Sequence, residues 1–147
     1  MHDGDQPCAN LTYRIIGLAM RVHRHLGPGL LESVYEKCLC SELDHAEMRF
    51  RRQVSLPVRY RDVIIDTGYV ADLIVDEQVI LELKAVDRLL PIHEAQLQTY
   101  LWIAGCPVGL LINFNTISLT DGIKRRVLRQ AAAGEPPHYP PGAATDH

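Results

Sequence analysis

The sequence predicts an α/β domain in which helices flank a mixed β-sheet, and three observations predict it. Apolar residues recur at helical spacing in two segments before residue 45 and in one after Pro91. Two strongly apolar runs, "TGYVADLIV" and "VILELKAV", lie between those segments, and a buried-strand run, "VGLLINF", follows the last helix. At 147 residues the chain holds one domain's worth of core, and the order helix, helix, strand, strand, strand, helix, strand suits a sheet covered by helices.

Each element has a local cause. Asn10 is expected to cap a first helix whose Leu11, Ile15, Leu18 and Val22 recur at spacings of three and four, with "HLGPG" ending it. A second helix is expected from about Leu30 to Leu43, with Leu31, Val34, Tyr35 and Cys38 on its apolar side. "QVSLPVRY" alternates as a strand does, and the two apolar runs form the central strands. "PIHEAQLQTYLWIAG" is a helix opened by Pro91 and closed by Gly105. "DGIKRRVL" fits a last strand or a short helix. Residues 1–9 read as a flexible tail, 10–130 as the domain, and 131–147 as a Pro/Gly/Ala-rich disordered tail.

Composition excludes several classes. Apolar content of 47% and charged content of 22% are ordinary globular values, and the net charge of -3 gives no general attraction to nucleic acid or anionic lipid. Basic residues are nevertheless clustered. Arg49, Arg51, Arg52, Arg59 and Arg61 form one window, 49–61, and Lys124, Arg125, Arg126 and Arg129 another, 124–129. On composition alone these are solvated faces. No apolar run approaches a membrane span, the N-terminus lacks a signal-peptide core, and four cysteines without C-x-x-C spacing fit a reduced chain, so a cytoplasmic protein is expected.

The chemistry concentrates in "GYVADLIVDEQVILELKAV", residues 68–86, where Asp72, Glu82 and Lys84 interrupt apolar strands. Alternation puts Glu82 and Lys84 on the face of Ile80, with Leu81 and Leu83 on the other. A two-residue turn at Asp76 and Glu77 would pair Asp72 with Leu81 and part the two carboxylates across the sheet. A three-residue loop, Asp76 to Gln78, sets Asp72 directly opposite Glu82, and the chemistry favours that register. Opposed carboxylates repel unless a proton or cation lies between them, and Mg²⁺, with Mn²⁺ as a substitute, is the cation that oxygen ligands suit. Lys84, on the same face, would stand at the edge of the site and orient a water or offset phosphate charge. The bland alternative is a charged sheet face with Asp72 and Lys84 as a diagonal pair.

Residues of two helices border this arrangement. In "GPGLLESVYEKCL" Gly29, Glu32 and Tyr35 fall at spacings of three along one helix face; Gln96 and Tyr100 lie one turn apart on the later helix. Taken singly, each reads as solvated or as core boundary. Together with Asp72, "ELK" and "GLLINFNTISLTDGIKRRV", the G-x-x-E-x-x-Y stretch resembles the GxxExxY protein family, a branch of the PD-(D/E)xK nuclease superfamily, over roughly residues 11–128, and the paired motifs are similar to the RecB nuclease domain. Ala71 stands where the superfamily label has proline.

The resemblance implies a restriction-endonuclease-like core. It also implies Glu32, Asp72 and Glu82 as metal ligands, with the Leu83 carbonyl as a further oxygen, Lys84 as the catalytic lysine, and Gln96 and Tyr100 steadying the site. The iron-sulfur relatives of RecB place four cysteines around the core in a pattern that Cys8, Cys38, Cys40 and Cys106 do not match, so no cluster is expected. The function so implied is metal-dependent phosphodiester hydrolysis on nucleic acid, DNA foremost, with the two basic windows as phosphate contacts and no extended reading of base sequence. A homodimer would suit cleavage of two strands. The competing reading is a catalytically silent nucleic-acid-binding or protein-interaction domain of the same fold.

Overall fold

A computed structural model describes residues 6–129 and shows a five-stranded mixed sheet between two helical layers. Along the chain come α1 (Ala9–Leu26), α2 (Glu32–His45), β1 (Phe50–Ser55), β2 (Val58–Tyr60), β3 (Val63–Ile65), β4 (Val70–Val75), β5 (Val79–Lys84), α3 (Pro91–Ala104), β6 (Val108–Asn113), a 3₁₀ turn (Leu119–Gly122) and β7 (Ile123–Val127). The sheet order is β1-β4-β5-β6-β7, with β5 and β6 parallel and every other neighbour antiparallel; β2 and β3 form a separate hairpin. The parallel pair needs a long crossover, and α3 supplies it. Residues 1–5 and 130–147, which hold most of the two expected tails, lie outside the described residues, and Ala9 already belongs to α1.

Two cores result from strand alternation. Leu73, Val75, Leu81, Leu83, Leu110 and Ile112 face α1 and α2, where they meet Ile15, Ala19, Tyr35, Leu39 and Leu43. Ile74, Ile80 and Leu111 face α3 and meet Leu97, Tyr100 and Leu101. Close packing on this second side depends on Gly109: a Cβ there would lie 2.7 Å from Leu97 Cδ1. The pleat turns over near residue 53. Phe50 packs toward α2 whereas Val54 and Leu56 pack toward α3, and on β4 Ala71 joins Ile74 rather than Leu73. Gln53, at φ 51, provides the backbone kink on β1, opposite Asp72.

Several local expectations are corrected. The residue before α1 is Cys8, at φ 57, and Asn10 lies inside the helix without capping it. Leu31 is exposed and precedes α2; that helix begins at Glu32 and buries Tyr35, Leu39 and Leu43. "QVSLPVRY" is two strands, because Leu56-Pro57 breaks the ladder and Pro57 has no N–H to donate. "DGIKRRVL" is a 3₁₀ turn followed by a strand. At α3, Pro91 and Gly105 mark the ends as expected, and His93 Nδ1 accepts the Leu90 N–H at 3.0 Å, which fixes the entry of the helix.

Candidate active site

The β4–β5 loop is Asp76 to Gln78, with Val75 opposite Val79, Ile74 opposite Ile80 and Leu73 opposite Leu81. That register continues to Asp72 opposite Glu82, where the regular ladder stops. Side chains then take over the backbone's partners. Glu82 Oε2 accepts the Asp72 N–H at 2.8 Å, and Asp72 Oδ2 accepts the Leu83 N–H at 2.8 Å. Two residues further on, Glu32 Oε2 lies 3.4 Å from the Ala85 N–H. The strands part here, and carboxylates fill the opening that a continued ladder would have closed.

Burial sets the electrostatics of the pair. Glu82 is 5% exposed. Its carboxyl is pushed up to about 8, first by loss of solvent and then by the Asp72 charge, against the opposing pull of the Asp72 N–H and of Lys84. Asp72 is raised by burial, opposed by the Leu83 N–H and Lys84, and raised further by Glu36 and Glu32. Tyr100, on α3, is raised to about 12 by burial and by the Glu82 and Asp72 charges, while the Val70 N–H bonded to it pulls the other way. Its ring meets Tyr69 at 5.6 Å. Lys84 is half-buried on β5, within electrostatic reach of both carboxylates and in no ion pair among the described residues. Gln96 is half-buried one turn before Tyr100.

Glu32 stands at the rim. Its residue is exposed, and among the described residues no three His, Cys, Asp or Glu side chains form a ready metal cluster. Successive same-side N–H groups on a strand are about 7 Å apart, so carboxylates held at Leu83 and Ala85 do not meet around one small ion without intervening water. Asp72 and Glu82 are therefore the close pair, with Glu32 a neighbour beyond them. Their all-oxygen donors and their shared excess of buried charge fit a hard divalent cation that keeps several waters.

The sequence reading missed Glu36. It is 8% exposed, one turn after Glu32, and Asp72 feels its charge more than that of Glu32. Arg52 Nη2 and Gln53 Nε2 hold its two oxygens at 2.7 and 2.8 Å, so it braces α2 against β1 with its charge already matched. The spacing Glu32-x-x-x-Glu36 was the available signal. Asn113, opposite Lys84, was missed too; it is buried and ties down the loop after β5 by accepting the Val86 N–H and donating to the Val86 carbonyl. Tyr35 has a structural task. Its hydroxyl donates to the Gly27 carbonyl at 2.6 Å and accepts the Leu30 N–H at 3.1 Å, and its ring stacks on Phe114 at 4.5 Å. It fixes the turn that delivers Glu32 to the rim.

The basic windows are largely committed elsewhere. Arg49 pairs with Asp76 at 3.0 Å and Arg51 with Glu77 at 2.7 Å, at the end of the sheet away from Asp72, and Arg52 is held by Glu36. Arg126 pairs with Glu94, and Arg125 donates to the Pro7 carbonyl. Partners distant in sequence, on α2, α3, the β4–β5 loop and the segment before α1, thus occupy five of these basic residues. Arg59, Arg61, Lys124 and Arg129 have no ion pair among the described residues. No helix among the described residues is long and apolar enough to cross a membrane.

Residues 9–126 match the family profile of the PD-(D/E)XK nuclease superfamily. The chain belongs to that superfamily. The mixed five-stranded sheet with flanking helices is its restriction-endonuclease-like fold, and membership points to metal-dependent nuclease chemistry on nucleic acid. Neither the curated proteins nor the solved structures give a match. Asp72, Glu82 and Lys84 all lie within the matched residues, and Ala71 is the residue before Asp72.

Proposed function

We propose that this protein hydrolyses phosphodiester bonds in nucleic acid, DNA foremost, with Mg²⁺ or Mn²⁺ held by Asp72 and Glu82 and with Glu32 contributing through water. The reading finer than the superfamily, a GxxExxY branch akin to the RecB nuclease domain, is supported by Tyr35, whose hydroxyl bonds Gly27 and Leu30 on either side of Gly29 (φ 99), and by Glu32 in the first turn of α2, which accepts the Ala85 N–H. One observation carries the proposal: two opposed carboxylates, Glu82 buried and Asp72 half-buried, each accepting one backbone N–H of the parting strands, with Lys84 on β5 beside Glu82 and in no ion pair among the described residues.

A divalent ion bound by this pair would supply Lewis-acid charge to a phosphate oxygen and acidify an attacking water. The chain's residues do the rest. Backbone donors hold one oxygen each of Asp72 and Glu82 and so fix the orientation of both carboxylates before a metal arrives. Lys84 orients the nucleophilic water and offsets the negative charge that grows on the phosphoryl oxygens. Gln96 offers both a donor and an acceptor to the sugar-phosphate chain, and the Tyr100 hydroxyl stays protonated beside the carboxylates.

The test incubates the protein with single-stranded, duplex and branched DNA and with RNA, in Mg²⁺, Mn²⁺ or EDTA. Cleavage that requires a divalent ion and disappears in Asp72→Asn, Glu82→Gln and Lys84→Ala is expected. Cleavage undiminished in all three folded variants would remove the assignment.

A further inference from the structure

The β2–β3 hairpin is an exposed surface that the candidate active site leaves unexplained. Tyr60, Val63 and Ile64 are 63%, 53% and 59% exposed on it, an unusual concentration of apolar side chains for two strands of three residues each. Its register pairs Val58 with Ile65, Arg59 with Ile64 and Tyr60 with Val63. Tyr60 and Val63 are therefore neighbours on one face, and the Arg61 guanidinium lies over the Tyr60 ring at 5.9 Å. On the other face Arg59 and Ile64 line a cleft of about 370 Å³ with Pro57 and with Trp102 and Ile103 of α3.

The turn carries a backbone cost. Arg61 opens it at φ 53, a conformation that glycine adopts freely and a long side chain does not. Strain of this kind at an exposed tip calls for a function. The base, by contrast, is pinned. Thr67 Oγ1 donates to the Leu56 carbonyl at 2.8 Å, the Leu56 N–H donates to the Tyr69 carbonyl at 2.9 Å, and Ser55 pairs with Val70, two residues before Asp72. The hairpin is thus a fixed arm rising where β1 pairs with β4, the strand that carries Asp72. Of the first basic window, it keeps Arg59 and Arg61, the two arginines in no ion pair among the described residues.

We propose that this arm binds single-stranded nucleic acid and feeds it toward Asp72 and Glu82, a reading that rests on the nuclease assignment and specifies its substrate. Tyr60, backed by Arg61, stacks on an unpaired base, and Arg59 and Arg61 neutralise phosphates on either side of it. An aromatic face accepts any base, so recognition is by strandedness and not by sequence. A base paired within a duplex keeps its faces stacked on its neighbours and offers none to Tyr60.

Binding is measured by fluorescence anisotropy in EDTA, where cleavage is suppressed, with labelled oligodeoxythymidine, oligouridine and a blunt DNA duplex. Three full-length variants are compared with the parent: Tyr60→Ala, Arg59→Ala, and Arg61→Gly, which the turn accepts. Tyr60→Ala is expected to raise Kd for the single strands about five-fold or more while moving the duplex less than about two-fold. Each arginine change is expected to flatten the slope of log K against log salt by about 0.7. The oligonucleotide that loses more affinity assigns the sugar the arm prefers. Single-strand affinity and salt slope unchanged in all three variants, with metal-dependent cleavage intact, overturns the arm and leaves the nuclease assignment standing. Equal losses on duplex and single strand overturn the preference for unpaired bases. A parent protein that neither binds nor cleaves any of these substrates removes both.

Discussion

Glu82→Gln should make the metal-free protein more stable at pH 8 and leave it nearly unchanged at pH 4.5. The native carboxyl is raised from 4.5 to about 8, chiefly by burial, so between those values the folded state keeps a proton that the unfolded state has released. With fewer protons bound to the unfolded chain, stability falls as pH rises through that window and levels off above it. The full interval corresponds to about 5 kcal/mol, and relaxation around the carboxylate leaves on the order of 2 kcal/mol as the expected gain. A glutamine keeps an oxygen for the Asp72 N–H and turns a donor toward the Asp72 carboxylate, so the opening is not left with an unpaired group. Urea unfolding in EDTA at pH 4.5, 6, 7 and 8 reads the effect as a shift in midpoint. Mg²⁺ should then stabilise the parent but not the variant, because the variant has lost half of the close pair. If the variant shows the parent's decline with pH, or is the less stable of the two at pH 8, the account of Glu82 as a buried, frustrated charge is wrong.

Three other substitutions probe separate parts of the structure. Lys84→Ala should cut the rate of metal-dependent cleavage by about 10²-fold or more with little change in the thermal midpoint, measured as single-turnover kinetics beside a melting curve, since Lys84 holds no ion pair among the described residues. Gly109→Ala should destabilise the domain by about 1–3 kcal/mol in denaturant titration, because its Cβ would crowd Leu97 and push α3 off β6. Tyr35→Phe keeps the stacked ring but orphans the Leu30 N–H and the Gly27 carbonyl; a loss of about 1–2 kcal/mol is expected, together with weaker Mg²⁺ binding by calorimetry as Glu32 loses its anchor.

The parts of the fold that the sequence made legible are those where chemistry and pattern agree. The odd-numbered β4–β5 loop could be chosen without a turn motif because only that register opposes Asp72 and Glu82, and Pro91 and Gly105 delimited α3 by what their backbones cannot or can do. What stayed hidden depends on contacts between distant residues. Strand β3 is three residues long, and a turn at Arg61-Asp62 carries none of the usual glycine signal. Glu36 reads as an ordinary helix glutamate until Arg52 and Gln53 arrive from β1. The arginines of that window look like a free basic surface until Asp76 and Glu77 fold back beside two of them.

The kink at Gln53 has a bearing on how this chain behaves in a crowd. Strand β1 is an outer member of the sheet, and an outer strand that ran flat would present a continuous row of unsatisfied amides to any other molecule. Reversing the pleat midway divides that row into two short stretches facing different ways, with charged arginines on the first of them. The same bend that lets Gln53 brace Glu36 thereby denies a second copy a template on which to extend, and it does so directly across from Asp72, where the strands part.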